Sequence, residues 1–187
     1  MGSEMCIRDS HLSVQGQPLL DRVLSVLLGV FPEVLLVLAE RDLPGQDERI
    51  RMVTDLIPGR AAVGGLYTGL YYSRHPRVFV VACDMPFLNP DVIEFFSHKL
   101  EAADVVLAQL VTGLQPLHGL YSKKCLPFLK EMMDAGDLRL QHLADKQGLV
   151  VHRIPESEIK SLDPQLLSFL NLNSPSDVEL ANKINPC

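Results

Sequence analysis

Apolar positions along the chain follow two alternating patterns, helical stripes and short continuous runs of strand length. Leu19, Leu20, Val23, Leu24, Val26 and Leu27 form one broad stripe, opened by Pro18 and stopped at Gly29, which predicts a helix packed on a sheet. After a turn at residues 31–33, the continuous apolar run 34–39 has the pattern of a buried parallel strand. A polar loop at 40–46 follows, and Val53 opens a further short strand. Pro58, Gly59, Gly64 and Gly65 then predict a glycine-rich loop leading into a helix over 66–72. Residues 77–83 carry Val78, Phe79, Val80, Val81 and Ala82, the most strand-like run in the chain, which ends at Asp84 and the breaker Pro86. Asn89 and Pro90 start a helix predicted to reach Leu100, with Asp91 and Glu94 suited to its positive end. Strands are predicted at 104–110, 117–121 and 150–154, and helices at 125–133 and 177–184, the last capped by Ser174, Pro175 and Ser176.

Strands alternating with helices at this spacing predict an α/β sandwich with a mainly parallel sheet. Ligands in such folds bind beyond the carboxyl ends of the strands, so the loops after strands are where chemistry belongs. With 187 residues, 47% hydrophobic and 21% charged, the chain has enough apolar surface for one filled core. A single domain over 11–187 is expected. Residues 1–10 fit neither a secretory nor an organelle signal and are read as a leader foreign to the domain.

A net charge of −6 without a basic run excludes a duplex nucleic-acid binder, while small phosphorylated ligands stay possible if a metal ion carries positive charge. Cys6, Cys83, Cys125 and Cys187 are scattered, with no Cys-x-x-Cys pair, which argues against a zinc site or a disulfide framework and fits a reducing cytoplasm. The apolar stretch 23–39 is broken by Gly29, Pro32 and Glu33, so no membrane span is expected.

The strongest chemical feature is Asp84, at the end of an apolar strand and followed by Met85-Pro86-Phe87. A lone carboxylate in that position suits Mg²⁺, which takes few protein ligands and fills its shell with waters and substrate phosphates. Capping of the next turn is the competing role for the same side chain. His118 is read as either a substrate contact or a histidine hydrogen-bonded at a strand edge, and Cys83 as a small buried thiol. Lys123, Lys124 and Arg139 are the best cations for an acidic substrate, with a solvated face as the alternative for the lysines.

Asp84-Met85-Pro86-Phe87, preceded by Asp55-x-x-Pro58-Gly59 and by Gly64-Gly65-Leu66, resembles the middle of the molybdenum cofactor guanylyltransferase family. Gln115-Pro116-Leu117, Gly136-Asp137-Leu138-Arg139 and Asn171-Leu172-Asn173-Ser174-Pro175 are similar to later motifs of that family, in the same order, so the resemblance spans roughly 16–184. It implies a Rossmann-like nucleotidyltransferase fold and transfer of GMP from GTP to molybdopterin. It also implies Asp84 as catalytic residue and Mg²⁺ ligand, nucleotide contacts from Asp55, Gly64, Gly65 and Asp84, and substrate contacts from Gln115, Asn171 and Asn173. A GTP-binding accessory protein and a molybdenum insertion protein are the implied partners.

The family begins with a strand and a Gly-Gly-x-Ser-x-Arg-Met-Gly loop that cradles phosphates, and a lysine follows. Gly16-Gln17-Pro18 matches the segment after that loop, whereas residues 1–10 match nothing before it and the lysine position falls near Asp9. The first strand is therefore expected to be absent and the activity impaired. Two further departures are Ala61-Ala62-Val63, where the family usually has Gly-Pro-Leu, and Glu40, where an Asn is common. A cytidylyl- or sugar-phosphate nucleotidyltransferase, or a non-catalytic binding or scaffold protein of the same fold, are the alternatives.

Overall fold

A computed structural model describes residues 13–39, 47–99 and 103–184. A small antiparallel hairpin of β1 (Ser13–Val14) and β2 (Gln17–Pro18), which the apolar pattern does not reveal, leads into helix α1 (Leu19–Val30). Its turn places both Gln15 and Gly16 at positive φ, the geometry of a two-residue hairpin turn. Helix α1 buries Leu19, Leu20, Val23, Leu24 and Leu27, the stripe anticipated from the 3.6 period. The chain continues through β3 (Val34–Leu38), β4 (Ile50–Thr54), α2 (Ala61–Tyr72), β5 (Arg77–Val81), α3 (Pro90–His98), β6 (Val105–Leu110), β7 (Gly113–Ser122), α4 (Leu126–Asp134), β8 (Val151–Pro155), α5 (Glu156–Ile159) and α6 (Pro175–Ala181).

Strands β3 and β4 pair in parallel, and β5, β7, β6 and β8 form a second ladder in that order. Since β7 is antiparallel to both β5 and β6, and β8 is parallel to β6, strands β5, β6 and β8 run the same way and β7 alone is reversed. The reversal follows from the short link between Leu110 and Gly113, because so tight a connection can join only antiparallel neighbours. The same hairpin explains why β7 starts at Gly113, four residues before the strand anticipated at 117–121: residues 113–115 gain partners at Leu110, Gln109 and Ala108. Pro116, Leu117 and His118 then have no counterparts on β6, and Gly119 resumes the ladder opposite Leu107. Among the described residues no strand bridges β3 and β5, so the two ladders stay separate.

Helices cover both faces. Residues Leu20, Val23, Leu24 and Leu27 of α1 and Ile93 of α3 pack with Val34, Ile50, Phe79 and Val81 on one side. Val63, Leu66 and Leu70 of α2 and Leu129, Met132 and Met133 of α4 pack with Val105, Leu107, Val78 and Val80 on the other. The alternation of Val78 and Val80 with Phe79 and Val81 between faces is the period-2 geometry of a strand buried on both sides. Each fully buried side chain of this type contributes about 1.5–3 kcal/mol of transfer free energy, which makes the layers the main source of stability.

Helix α2 begins at Ala61, so Gly64 and Gly65 lie inside it and not in the loop expected from their composition. Two glycines cost about 1 kcal/mol each in a helix interior, but close packing offsets this at Gly64. A Cβ there would stand 3.0 Å from the Ile57 carbonyl oxygen and from Arg60 Cβ, and 3.4 Å from Asp55 Oδ2. The missing side chain thus lets the turn after β4 fold against the helix. Residue 100 and the loop 40–46 that includes Glu40 lie outside the described residues, as do 1–12, where the leader, Asp9 and the first-strand position were assigned. No helix among the described residues is long and apolar enough to cross a membrane.

Candidate functional site

The turn after β5, which carries Asp84, is the centre of the candidate site. Met85, Pro86, Phe87 and Leu88 are buried, while Asp84 is half-buried with Oδ1 shielded from solvent. Three separate parts of the chain hold this turn. The Leu172 N–H donates to the Asp84 carbonyl oxygen at 3.0 Å, which lays residues 171–173 beside Asp84. From α1, Arg22 Nε donates to the Pro86 carbonyl oxygen at 3.3 Å, and its guanidinium lies 5.5 Å from the centre of the Phe87 ring. Val14, Leu19, Phe87, Leu172 and Ala181 form one apolar cluster that ties the β1–β2 hairpin and α6 to the same place.

Asn171 and Asp84 are thereby brought together although 87 positions apart (171 − 84). The Asn171 Oδ1 atom is buried and has no hydrogen-bond partner among the described residues. An orphaned buried acceptor costs roughly 1–3 kcal/mol, which a ligand donor or a cation would recover. Asn173 is exposed, and its backbone N–H donates to Asp177 Oδ2 at 2.9 Å. Capping of α6 falls to Ser174, whose hydroxyl accepts from the Asp177 N–H, so the Asn173 amide is not spent on the cap.

Asp55 stands just past the carboxyl end of β4. Its Oδ1 accepts from the Ile57 N–H at 3.1 Å and from the Thr68 hydroxyl at 2.7 Å, while the Leu56 N–H donates to that hydroxyl at 3.0 Å. One carboxylate oxygen is therefore committed to closing the β4–α2 turn, with Oδ2 facing Gly64. A Cβ on Gly65 would meet nothing within 4 Å, which leaves that flank of the helix open. Gln115 pairs with Ala108 of β6, beyond the last β5–β7 pair, Val81–His118, so the ladder does not carry it to Asp84. The Gln115 side chain folds back on its hairpin, with Nε2 donating to the Gly113 carbonyl at 3.3 Å.

The remaining candidates resolve differently. His118 is fully buried in β7 between β5 and β6, not at a strand edge, and is caged by Phe79, Phe96 and Phe169 with ring centroids 5.1, 5.6 and 4.5 Å away. Burial holds its pKa down at about 4, against weaker opposition from the Ser168 main chain and the Asp163 carboxylate that face it. Neither ring nitrogen has a hydrogen bond of ordinary geometry, so His118 acts as a neutral aromatic of the core. Lys123 and Lys124 are at the opposite end of the strands, beside the start of β5, where Lys123 Nζ donates to the Ser73 carbonyl and Lys124 pairs with the buried Asp104. They cannot serve a ligand beside Asp84. Gly136 and Asp137 close α4 through N–H groups donating to the Met133 and Met132 carbonyls, and Asp137 pairs with His142 and Arg139. Arg22 is the functional neighbour that the sequence reading missed. Its only trace is a charged residue beside an apolar stripe, and its partner lies 64 positions away.

Among the described residues no cluster of three or more His, Cys, Asp or Glu side chains could cage a metal. A hard-oxygen set of the Asp84 carboxylate and the Asn171 amide fits Mg²⁺, an ion that draws most of its shell from water and phosphate.

Residues 10–150 match the MobA-like NTP transferase domain. The chain is 30% identical over 90% of its length to the molybdenum cofactor guanylyltransferase of Desulfosudis oleivorans, covering 82% of that protein. It is 31% identical over 95% of its length to a probable molybdenum cofactor guanylyltransferase of Pelotomaculum thermopropionicum, covering 83% of it. Among solved structures, the molybdopterin-guanine dinucleotide biosynthesis protein A of Archaeoglobus fulgidus superposes with a TM-score of 0.82 at 22% identity, covering 98% of this chain and 93% of that one. A 4-diphosphocytidyl-2C-methyl-D-erythritol synthase from Anaerococcus prevotii superposes with a TM-score of 0.68 at 16% identity, covering 91% and 86%, a likeness of fold alone. The sheet order, the acidic turn after β5 and these matches agree that the chain belongs to the MobA-like NTP transferase family.

Proposed function

We propose that this chain carries the transfer site of a molybdenum cofactor guanylyltransferase, which moves GMP from GTP to molybdopterin. The observation that supports the reading best is the main-chain bond from Leu172 to Asp84, which sets Asn171, whose buried amide oxygen has no partner among the described residues, in the segment beside a carboxylate at a strand end. A terminal phosphate oxygen of molybdopterin attacks the α-phosphorus of GTP in line. The new P–O bond forms as the bond to the β-phosphate oxygen breaks, and pyrophosphate leaves with the electron pair. Such a step asks little covalent work of side chains and much positioning.

Asp84 and Asn171 would hold Mg²⁺, which supplies positive charge against the phosphates when bound. The N–H donors of Asn171 and Asn173 orient the pterin phosphate without adding charge. Asp55, Gly64 and Gly65 contact the nucleotide, with Gly65 offering an approach unobstructed by a Cβ. Gln115, on β7, contacts substrate once its side chain leaves the Gly113 carbonyl. In this reading the protein is cytoplasmic, works with a GTP-binding accessory protein, and delivers its product to a molybdenum insertion protein.

Incubation with MgGTP and molybdopterin, of the chain preceded by the family's Gly-Gly-x-Ser-x-Arg-Met-Gly loop, tests the proposal. Pyrophosphate should appear only when both substrates and the metal are present, and CTP should not replace GTP. Equal or faster release with CTP would overturn the guanine assignment, and no release with either nucleotide would overturn the transfer reaction.

A further inference from the structure

The segment 162–172 crosses the carboxyl end of the β5–α3 connection and is bonded to it at both ends. At one end Leu172 N–H meets the Asp84 carbonyl. At the other, Asn89 engages the segment twice: its backbone N–H donates to Ser168 Oγ at 3.1 Å, and its Nδ2 donates to the Leu162 carbonyl at 3.1 Å. Asn89 Oδ1 meanwhile accepts from the Asp91 N–H at 2.9 Å and caps α3. The whole stretch from Asp84 to Asn89 is thus spanned by a second strap of chain.

Ser168 is fully buried and owes its place to Asp163, itself buried, whose carboxylate accepts the N–H groups of Leu167 and Ser168 at 3.1 and 2.8 Å. The preceding residue but one, Leu166, is held at φ +55°, a left-handed conformation that L-residues avoid. Burying a serine, a carboxylate and an asparagine in one network is expensive unless each is satisfied, and this one satisfies them between segments far apart in sequence. An apolar contact could fill the same space, but it would not fix the register of the strap against the turn.

We propose that Ser168, ordered by Asp163, is a positioning residue that locks Asn89 and so fixes the Asp84 turn against Asn171. The inference rests on the proposed role of Asp84. It assigns to the strap the task of keeping carboxylate and amide in mutual register, where a shift of about 1 Å is expected to cost on the order of 100-fold in rate.

Two variants test it: Ser168→Ala, which leaves the Asn89 N–H without its acceptor, and Asn89→Asp, which keeps the cap of α3 but loses the donor to Leu162. Each should lower kcat for GMP transfer at least 10-fold with KM for GTP changed less than 3-fold. Amide exchange at residues 85–89 should quicken while that of β6 and α4 is unchanged. Asn89→Asp serves if Ser168→Ala fails to fold. Unchanged kcat per folded molecule and unchanged exchange at 85–89 in the folded variants would overturn the proposal. Asp84→Asn, measured alongside, separates the two levels. If it abolishes transfer while both strap variants stay fully active, only the positioning role falls, and if it is itself fully active, the reading of Asp84 falls and takes the positioning role with it.

Discussion

Ala61 opens helix α2 with φ at +47°, in the left-handed region that L-residues avoid. Its Cβ crowds the carbonyl oxygen there, at a cost of about 1–2 kcal/mol, and Ala61 is exposed, so no burial offsets it. Replacing Ala61 by Gly removes the penalty. The opposing effect is the greater freedom that glycine gives the unfolded chain, worth about 0.4–1 kcal/mol. The difference favours the native state by roughly 0.5–1 kcal/mol, or a rise in Tm of about 1–4 °C for a domain of this size. Urea unfolding of Ala61→Gly should show a higher midpoint with an unchanged slope. A lowered midpoint would refute the claim that this turn stores backbone strain.

Leu166→Gly relieves the same kind of strain at φ +55° yet should not raise stability, because the half-buried Leu166 side chain packs against the cluster of Val92, Phe96 and Phe169, and its lost burial of about 1 kcal/mol, with the glycine's unfolded-chain freedom of about 0.4–1 kcal/mol, offsets the relief of about 1–2 kcal/mol. A stabilised variant in chemical denaturation would contradict that ordering. In Gly119→Ala the new Cβ would lie 2.5 Å from Leu107 Cδ2 and 2.7 Å from the Val106 carbonyl oxygen. Since backbone cannot yield as a side chain can, a loss of about 1–3 kcal/mol is expected in the same assay. For His118, the folded pKa of about 4 lies below the ordinary 6.5, so its stabilising contribution is complete above 6.5 and is lost as the pH falls from there through 4. At pH 5 the loss is about 2 kcal/mol. His118→Phe should flatten the decline in stability between pH 7 and 5, and an identical pH profile would refute a buried neutral imidazole.

Much of the fold is written locally. The stripe in α1, the alternating faces of Val78 to Val81 and the breaker at Pro86 each reflect a period or a backbone restriction carried by adjacent residues, and they located Asp84 at a strand end. What the sequence hid is non-local. Gly64 and Gly65 looked like loop residues because composition cannot show that a turn 7–9 positions earlier packs against the first of them (64 − 57 and 64 − 55). The full length of β7 depended on its hairpin partner β6. Arg22, Ser168 and Asp163 act through partners across the chain or inside an irregular segment, and no periodicity marks them. The order of motifs singled out Asn171 and Asn173 as substrate contacts but not their place beside Asp84, which rests on the Leu172–Asp84 hydrogen bond across 88 positions (172 − 84).

The carboxylate at the end of β5 is the feature on which the enzymatic reading turns. A crystal soaked with Mn²⁺ in place of Mg²⁺ and with a non-transferable GTP analogue would locate the metal directly by its anomalous scattering. The account predicts a peak about 2.1 Å from an Asp84 carboxylate oxygen, bridged to the nucleotide phosphates. Nucleotide and metal bound at another edge of the sheet, with Asp84 facing neither, would contradict it.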